Sequence, residues 1–283
     1  WDHDGMSAHL SGTMPPTNIG RREIGDKALA AYGDFMIEFF DYFVKGEANG
    51  FEEQPKVRYF NIGENDWRDA DTWPLPGTEM QSLYLHADGS LADSAPDEAG
   101  SDTYDYDPRN PVTITAETNV WGRAASLPDR RVLLERDDVL TYQTDPLATD
   151  MELTGPIKVT LYASSSAEDT DFTAALVDVH PDGYSLLIQE GILRASYRDK
   201  QQPPSNITPG EIYRFDIDLW ATSYVVPAGH ALRLEVSSSN FPRFARNLNN
   251  GEAFGMSDRV EVATQTVHHS AAHPSRVLLP IHP

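Results

Sequence analysis

Short runs of β-forming residues separated by turn clusters fill the chain from residue 77 to its end, and this pattern limits the fold more than any other feature. Turn triplets such as Pro-Asp-Gly at 181–183 and Pro-Ala-Gly at 227–229 stand between the runs, where they favour reversals of the backbone. Helical periodicity is nearly absent there, so the sequence predicts a β-sandwich, of jelly-roll rather than immunoglobulin type. The predicted strands are Ser82–Leu85, Lys158–Ala163, Thr173–Val179, Ser185–Leu193, Ile212–Leu219, Ala231–Ser237 and Arg276–Pro280.

The first 76 residues have a different character. Residues 26–45 predict an amphipathic helix that starts at Asp26 as N-cap and ends at Gly46, and its apolar stripe is expected to face a core. The stripe consists of Leu29, Tyr32, Met36, Phe39, Phe40 and Phe43. Residues 56–63 predict a strand. A helix followed by a strand is typical of the end of an α/β unit.

Two further stretches are expected to be irregular. Residues 64–76 carry Trp67, Trp73 and a Pro-Leu-Pro end, which favours a packed linker between two domains. Residues 86–111 are rich in Asp, Ser, Gly and Pro, which predicts a long exposed loop.

The charge balance argues against several classes of partner. Among 283 residues, 44 are acidic and 22 are basic, for a net charge of −22. Nucleic acid and anionic membranes both require positive protein surface, so neither is expected as a partner. No run of about 18 apolar residues is present. The absence of cysteine excludes disulfides, thiolate metal sites and a cysteine nucleophile.

Several long blocks of sequence resemble one family of serine hydrolases, the cocaine-esterase-like enzymes, which include X-Pro dipeptidyl-peptidases and α-amino-acid ester hydrolases or acylases. The resemblance is specific for the family and not for its substrate. The blocks run in order along nearly the whole chain and are WDH at 1–3, PKVRYFNIGENDWRDADTWPLP at 55–76, SSSAEDTDFTAALVDVHPDG at 164–183, EGILRASYR at 190–198, PAGHALRLEVSSSNFPRFARN at 227–247 and HPSRVLLPI at 273–281.

The resemblance implies a division of the chain into two domains. A complete member has an α/β-hydrolase core, a helical cap inserted in it and a C-terminal jelly roll of galactose-binding-like fold. By this likeness, residues 1–76 are the C-terminal remnant of the α/β-hydrolase domain, with its last helix and strand. Residues 77–283 are the jelly-roll β-sandwich domain, so the chain as a whole is expected to be mainly β.

His3 lies at the family's Trp-x-His position, which implies that it is the histidine of a catalytic triad. The triad serine and aspartate would lie upstream, and no Gly-x-Ser-x-Gly motif is present in this chain. The chain is therefore expected to be inactive alone. Two alternatives stay open, namely that His3 is an ordinary loop histidine and that the jelly roll is a free-standing module that binds carbohydrate or a partner.

Other polar clusters are expected to have structural roles. Glu168, Asp169 and Asp171 are interpreted as a solvated acidic turn rather than a Ca²⁺ site. Arg243 and Arg246 are expected to pair with carboxylates and hold the jelly roll against the hydrolase core, with a sugar- or substrate-contacting loop as the alternative. Five further histidines lack the spacing of a helical metal motif and are interpreted as scattered surface residues: His9, His268, His269, His273 and His282.

The expected partners follow from these assignments. They are a small ester, amide or peptide substrate, the upstream hydrolase segment of the same protein, and a second copy of the chain. No cofactor or metal is predicted. In a chain that lacks the upstream segment, Phe35, Phe39, Phe43 and the strand edge at 57–62 would be exposed, which predicts dimerisation or aggregation. The sequence leaves the location in the cell open.

Overall fold

The computed structural model describes residues 17–28, 32–113, 127–253 and 255–283. This part of the chain is mainly β, and two sheets enclose one core, so the predicted β-sandwich is confirmed. His3 lies outside the described residues. None of the described helices has the length and apolar character that a membrane span requires.

The N-terminal region consists of two small hairpins with a helix between them. Its elements are β1 (Asn18–Ile19), β2 (Arg22–Glu23), a 3-10 turn (Asp26–Ala28), helix α1 (Tyr32–Phe40), a π-helical turn (Asp41–Lys45), a 3-10 turn (Phe51–Glu53), β3 (Val57–Asn61) and β4 (Asp66–Ala70). Gly46 ends the helical segment in a left-handed conformation (φ 74°), where its N–H donates to the Tyr42 carbonyl. The predicted helix over 26–45 is thus confirmed for residues 32–45, whereas residues 26–28 form a 3-10 turn.

Strand β4 lies in the stretch that the sequence predicts to be an irregular linker, and that prediction is wrong for residues 66–70. Strand β4 pairs with β3 in an antiparallel hairpin. Two cross-strand pairs stabilise it, since the Phe60 and Trp67 rings pack 5.4 Å apart and Arg58 Nε donates to Asp69 Oδ1 at 2.7 Å. The acidic composition of this stretch argued against a strand, but Arg58 on β3 balances the charge of Asp69 on β4.

Within the described residues, the larger sheet of the sandwich has seven strands: β5 (Glu79–Leu85), β6 (Leu91–Ala92), β7 (Gly100–Tyr106), β9 (Met151–Ser165), β12 (Tyr213–Val226), β14 (Ala263–His269) and β15 (Arg276–His282). The long strand β9 organises this sheet. One of its edges pairs with β12 over almost its whole length. The other edge is shared by two strands, because β15 pairs with the first part of β9 and β14 with the last part.

The smaller sheet has four antiparallel strands: β8 (Leu140–Gln143), β10 (Asp171–Val179), β11 (Ser185–Arg194) and β13 (Ala231–Ser237). Their order across the sheet is β11-β10-β13-β8. Every residue of β10 and β13 is buried. Two further 3-10 turns, Arg130–Glu135 and Ala195–Tyr197, lie next to this sheet in the chain.

The hydrophobic core lies between the two sheets. Side chains along a strand alternate between its faces, so every second residue of β9 points into the core. These residues are Leu153, Ile157, Val159, Leu161 and Ala163. The rings of Phe172 on β10 and Phe215 on β12 pack with centroids 4.8 Å apart, which joins the two sheets.

Residues 86–111 are not a long exposed loop, and that prediction is wrong. The stretch contains β6 and β7, and Tyr104 and Tyr106 of β7 belong to the core. Asp102 also points inward, where it accepts a hydrogen bond from Tyr142 Oη at 2.7 Å. A carboxylate at an inward position interrupts the apolar alternation from which a half-buried strand is predicted.

Replacement of Phe172 by alanine should lower the free energy of unfolding by about 3–5 kcal/mol, because it leaves a cavity between the two sheets. Urea unfolding followed by tryptophan fluorescence measures this change. Met256→Ala is the control, because Met256 is 77% exposed and its truncation should change stability by less than about 0.5 kcal/mol. An equal loss in the two variants would contradict the assigned core.

Candidate functional site

The N-terminal hairpin of β1 and β2 docks on the sandwich through two consecutive arginines. The Arg21 guanidinium lies 4.2 Å from the centroid of the Tyr184 ring, and its Nη1 donates to Asp182 Oδ2 at 2.9 Å. The Arg22 guanidinium lies 4.4 Å from the centroid of the Tyr224 ring. Cation–π contacts of this kind are strongest where the ring and the cation are partly removed from water.

Close approach of the hairpin to the sandwich requires a glycine at position 20. Gly20 has a φ of 54°, and a Cβ there would lie 2.3 Å from the Tyr184 hydroxyl and 2.7 Å from Leu186 Cδ1. Any side chain at this position would therefore push the hairpin away from the sandwich.

A buried carboxylate, Asp178 at the end of β10, lies at the centre of this contact. It accepts hydrogen bonds from Tyr224 Oη and from His230 Nδ1, both at 2.7 Å. Arg22 Nη1 and His180 Nε2 lie 3.9 Å and 3.8 Å from Asp178 Oδ2. Since a carboxylate only accepts, the hydroxyl and the ring N–H must both be donors.

The surroundings of Asp178 change the pKa values of its neighbours. Burial raises the pKa of Tyr224, and the adjacent carboxylate raises it further, so the hydroxyl stays protonated. Burial lowers the pKa of His180 despite the attraction of Asp178, so its imidazole is neutral at neutral pH. Neither His180 nor His230 stands out in the sequence, although an Asp-x-His spacing at the end of a predicted strand is a detectable signal.

The apolar helix face, on α1 and the π-helical turn, is exposed in this chain rather than packed in a core. Phe43 is 61% exposed, and its ring and that of Phe39 pack on Phe51. Strand β3 pairs on one side only, with β4, among the strands that the structure describes. The exposed members of the face are Phe35, Met36, Ile37, Phe39, Phe40, Phe43 and Val44. A contiguous apolar surface of this kind marks an interface.

The C-terminal histidines do not have one common role. His269 is 1% exposed and its Nε2 lies 2.9 Å from Asp102 Oδ2, so the prediction of a surface residue is wrong there. His268 Nε2 lies 3.1 Å from Ser164 Oγ. His9 lies outside the described residues.

Glu168 of the acidic turn at 168–171 is exposed, whereas the interpretation as a solvated turn is wrong for Asp169 and Asp171. Asp169 and Asp171 are buried, and Asn247 Nδ2 donates to both carboxylates at 3.0 Å. Arg194 Nε donates to Asp171 Oδ1 at 2.8 Å. Burial raises the pKa of Asp171, although Arg194 and Asn247 oppose that shift. Protein donors occupy these oxygens, which argues against a Ca²⁺ site.

Arg243 and Arg246 both bind within the sandwich. Arg243 Nε lies 2.9 Å from Glu190 Oε1, which confirms a carboxylate as its partner. Arg246 Nη1 donates instead to the carbonyl of Pro108 at 2.8 Å. A cavity of about 290 Å³ is lined in part by Arg246.

The smaller sheet also carries a buried cluster of charges. Arg130 Nη2 lies 2.7 Å from Glu235 Oε2, and Arg233 Nη2 lies 2.7 Å from Glu235 Oε1. None of the three side chains is more than 5% exposed. Arg130 begins the 3-10 turn at 130–135, so this ion pair fixes that turn to β13.

Glu235→Gln should lower the free energy of unfolding by about 3–5 kcal/mol, because it removes the carboxylate that lies 2.7 Å from each of two buried guanidinium groups. The urea midpoint at neutral pH measures the loss. Glu211→Gln makes the same chemical change at an exposed position and should leave the midpoint nearly unchanged. A stable Glu235→Gln variant would contradict the buried ionic cluster.

Residues 49–278 match the X-Pro dipeptidyl-peptidase C-terminal non-catalytic domain, and the chain therefore belongs to this family. The match begins after α1 and runs through the whole sandwich up to β15. It confirms the resemblance of the sequence blocks. His3, the β1–β2 hairpin and the apolar helix face all precede the matched region.

Three known proteins illustrate the relationship. The chain is 41% identical over 255 residues to a cocaine esterase from Rhodococcus sp. (strain MB1 Bresler), and the alignment covers 86% of this chain and 44% of the esterase. It superposes with a TM-score of 0.82, at 26% identity, on an aminopeptidase from a marine-sediment Thaumarchaeota archaeon, covering 96% of this chain and 48% of that one. An α-amino acid ester hydrolase superposes with a TM-score of 0.75 at 31% identity, covering 87% and 44%. The chain spans less than half the length of each.

Proposed function

We propose that this chain is the C-terminal part of a serine hydrolase that cleaves ester or amide bonds, with X-Pro dipeptidyl bonds among the candidate substrates. The apolar helix face carries this proposal, because such a surface requires a covering segment. Relatives about twice as long as this chain have room for that segment. The upstream hydrolase segment covers the face in this proposal, and the chain alone is inactive.

His3 is the general base in this proposal. It accepts the proton of the nucleophilic serine during attack on the carbonyl carbon, donates it to the leaving group, and then activates water for deacylation. The serine and the aspartate that orients His3 come from the upstream segment. Support for this role is the Trp-x-His position of His3 within a chain whose relatives include an esterase and an aminopeptidase.

The β-sandwich, residues 77–283, anchors the hydrolase remnant, residues 1–76, in this proposal. Arg68 donates to both carboxylate oxygens of Glu152, at 2.7 Å and 3.2 Å, and so ties β4 to β9. The β1–β2 hairpin lies nearer the start of the remnant, and Arg21 and Arg22 hold it on the sandwich. The sandwich thus limits the movement of the segment that follows His3 and helps to shape the active site.

His3→Ala in the longer protein should lower kcat by at least about 10³-fold, because the members of a triad act as a unit. Hydrolysis of a p-nitrophenyl ester and of an Ala-Pro anilide measures the loss and shows which bond is cleaved. His9→Ala, which removes the next histidine along the chain, is the matched control. Equal rates for His3→Ala and the unchanged protein would remove His3 from the mechanism. Glycan binding without hydrolysis would favour the alternative of a binding module.

The chain without its upstream segment should self-associate through the apolar helix face. Light scattering over a range of concentrations should show dimers or larger species, and the double variant Phe39→Asp/Phe43→Asp should shift the distribution to monomer. Val132→Asp is the control, because Val132 is equally exposed but lies elsewhere. A monomeric unchanged chain at high concentration would contradict the proposed role of the face.

A further inference from the structure

Two turns of the sandwich meet at the end of the smaller sheet and bring two histidines to one carboxylate. Asp178 is the second-last residue of β10, and His180 follows that strand directly. His230 immediately precedes β13. Strands β10 and β13 are antiparallel neighbours in which Val179 pairs with Ala231. The register of the sheet therefore places the two turns side by side.

The donor atoms of these three residues lie close together. One ligand atom of each residue lies within 4.8 Å of the others, and the two imidazole centroids are 4.3 Å apart. His180 Nε2 is buried and has no hydrogen-bond partner within the described part of the chain. A buried ring nitrogen without a partner in the protein is costly, and the lone pair of such a nitrogen is available to a ligand.

Two imidazoles and one carboxylate form a ligand set suited to a borderline-soft divalent metal such as Zn²⁺. Calcium and magnesium prefer oxygen ligands, so this set disfavours them. In a tetrahedral zinc site the ligand atoms are about 3.4 Å apart. His180 Nε2, at 3.8 Å from Asp178 Oδ2, is already near that spacing. The 2.7 Å hydrogen bond from His230 Nδ1 to Asp178 must break, with loss of its proton, if that nitrogen is to bind the metal. His180 and His230 retain partial exposure on their turns, which leaves room for that adjustment.

From this geometry we infer that Asp178, His180 and His230 form a binding site for Zn²⁺ that links the two turns at the end of the sandwich. The inference concerns the sandwich itself and goes beyond the proposed hydrolase function. Tyr224 orients one ligand of the site, because its hydroxyl donates to Asp178 and holds the carboxylate in place. The metal would cross-link the two turns just beyond the end of the β10–β13 pairing, in place of the hydrogen bond from His230 to Asp178.

Arg22 is the side chain that opposes binding. Its Nη1 lies 3.9 Å from Asp178 Oδ2, so the fixed positive charge repels a divalent cation near that oxygen. Removal of this charge should strengthen binding, whereas removal of a ligand should weaken it. The opposite signs distinguish a metal site from a general loss of structure, which would weaken binding in every variant.

The test is calorimetric titration of Zn²⁺ into the chain, purified without a polyhistidine tag and freed of metal with a chelator. We expect one Zn²⁺ per chain. His180→Ala and His230→Ala should each weaken binding at least tenfold, roughly the minimum loss found for outer-shell partners of metal sites. Arg22→Gln should strengthen binding several-fold. His273→Ala, which removes a histidine from outside the cluster, should leave the affinity unchanged.

A second measurement uses Co²⁺ as a spectroscopic substitute. Visible absorption bands of tetrahedral Co²⁺ should appear with the unchanged chain and with Arg22→Gln, and they should be absent with His180→Ala. The inference is overturned if Zn²⁺ does not bind, or if His180→Ala binds as tightly as the unchanged chain. It is also overturned if Arg22→Gln weakens binding to the same extent as the two histidine variants.

Discussion

Buried carboxylates hold the peripheral segments of this protein to its sandwich. Removing a carboxylate from water is costly unless donors replace the lost water, so each buried acid requires a partner from elsewhere in the chain. Glu235 on β13 is paired with Arg130 of the 3-10 turn. Asp171 on β10 is paired with Arg194 at the end of β11 and with Asn247 of a distant loop. Each pair attaches one segment in a defined place.

The same requirement docks the N-terminal hairpin. Asp178 is fully buried, and its oxygens are surrounded by Tyr224, His230 and the guanidinium of Arg22. The chain has twice as many acidic as basic residues, and several of its arginines pair with buried acidic side chains. Arginine suits this role because its planar fork donates to both oxygens of a carboxylate and also stacks on aromatic rings. The surface therefore keeps a large excess of negative charge.

The sandwich was predictable from the sequence, whereas two strands rich in polar residues, β4 and β7, were not. The predicted strand Ala231–Ser237 coincides with the observed strand, because apolar residues alternate along it. Strands β4 and β7 were missed because each carries two acidic residues, and Asp102 of β7 occupies an inward position where a half-buried strand normally carries an apolar residue. Their partners lie on other strands, and local pattern contains no information about them.

The cluster around Asp178 was missed for a related reason. Its members are brought together by the pairing of β10 with β13 and by the docked hairpin, neither of which is visible in a short window of sequence. The apolar stripe of α1 was expected to face a core, whereas its described members Met36, Phe39, Phe40 and Phe43 are exposed. A periodic pattern shows which side of a helix is apolar and does not show what covers it. His3 was recognised only through a family resemblance and stays a prediction.

The shared edge of β9 has a consequence for the order in which the protein folds. Strand β15, near the C-terminal end of this chain, sits between β5 and β9 and completes the hydrogen bonding of both. Pairing strands so distant in sequence closes large loops and slows folding. Until residues 276–282 have been synthesised and inserted, β5 and the first part of β9 present open edges that can pair with other chains. The nascent protein therefore passes through a stage in which chaperone protection of these edges is most valuable.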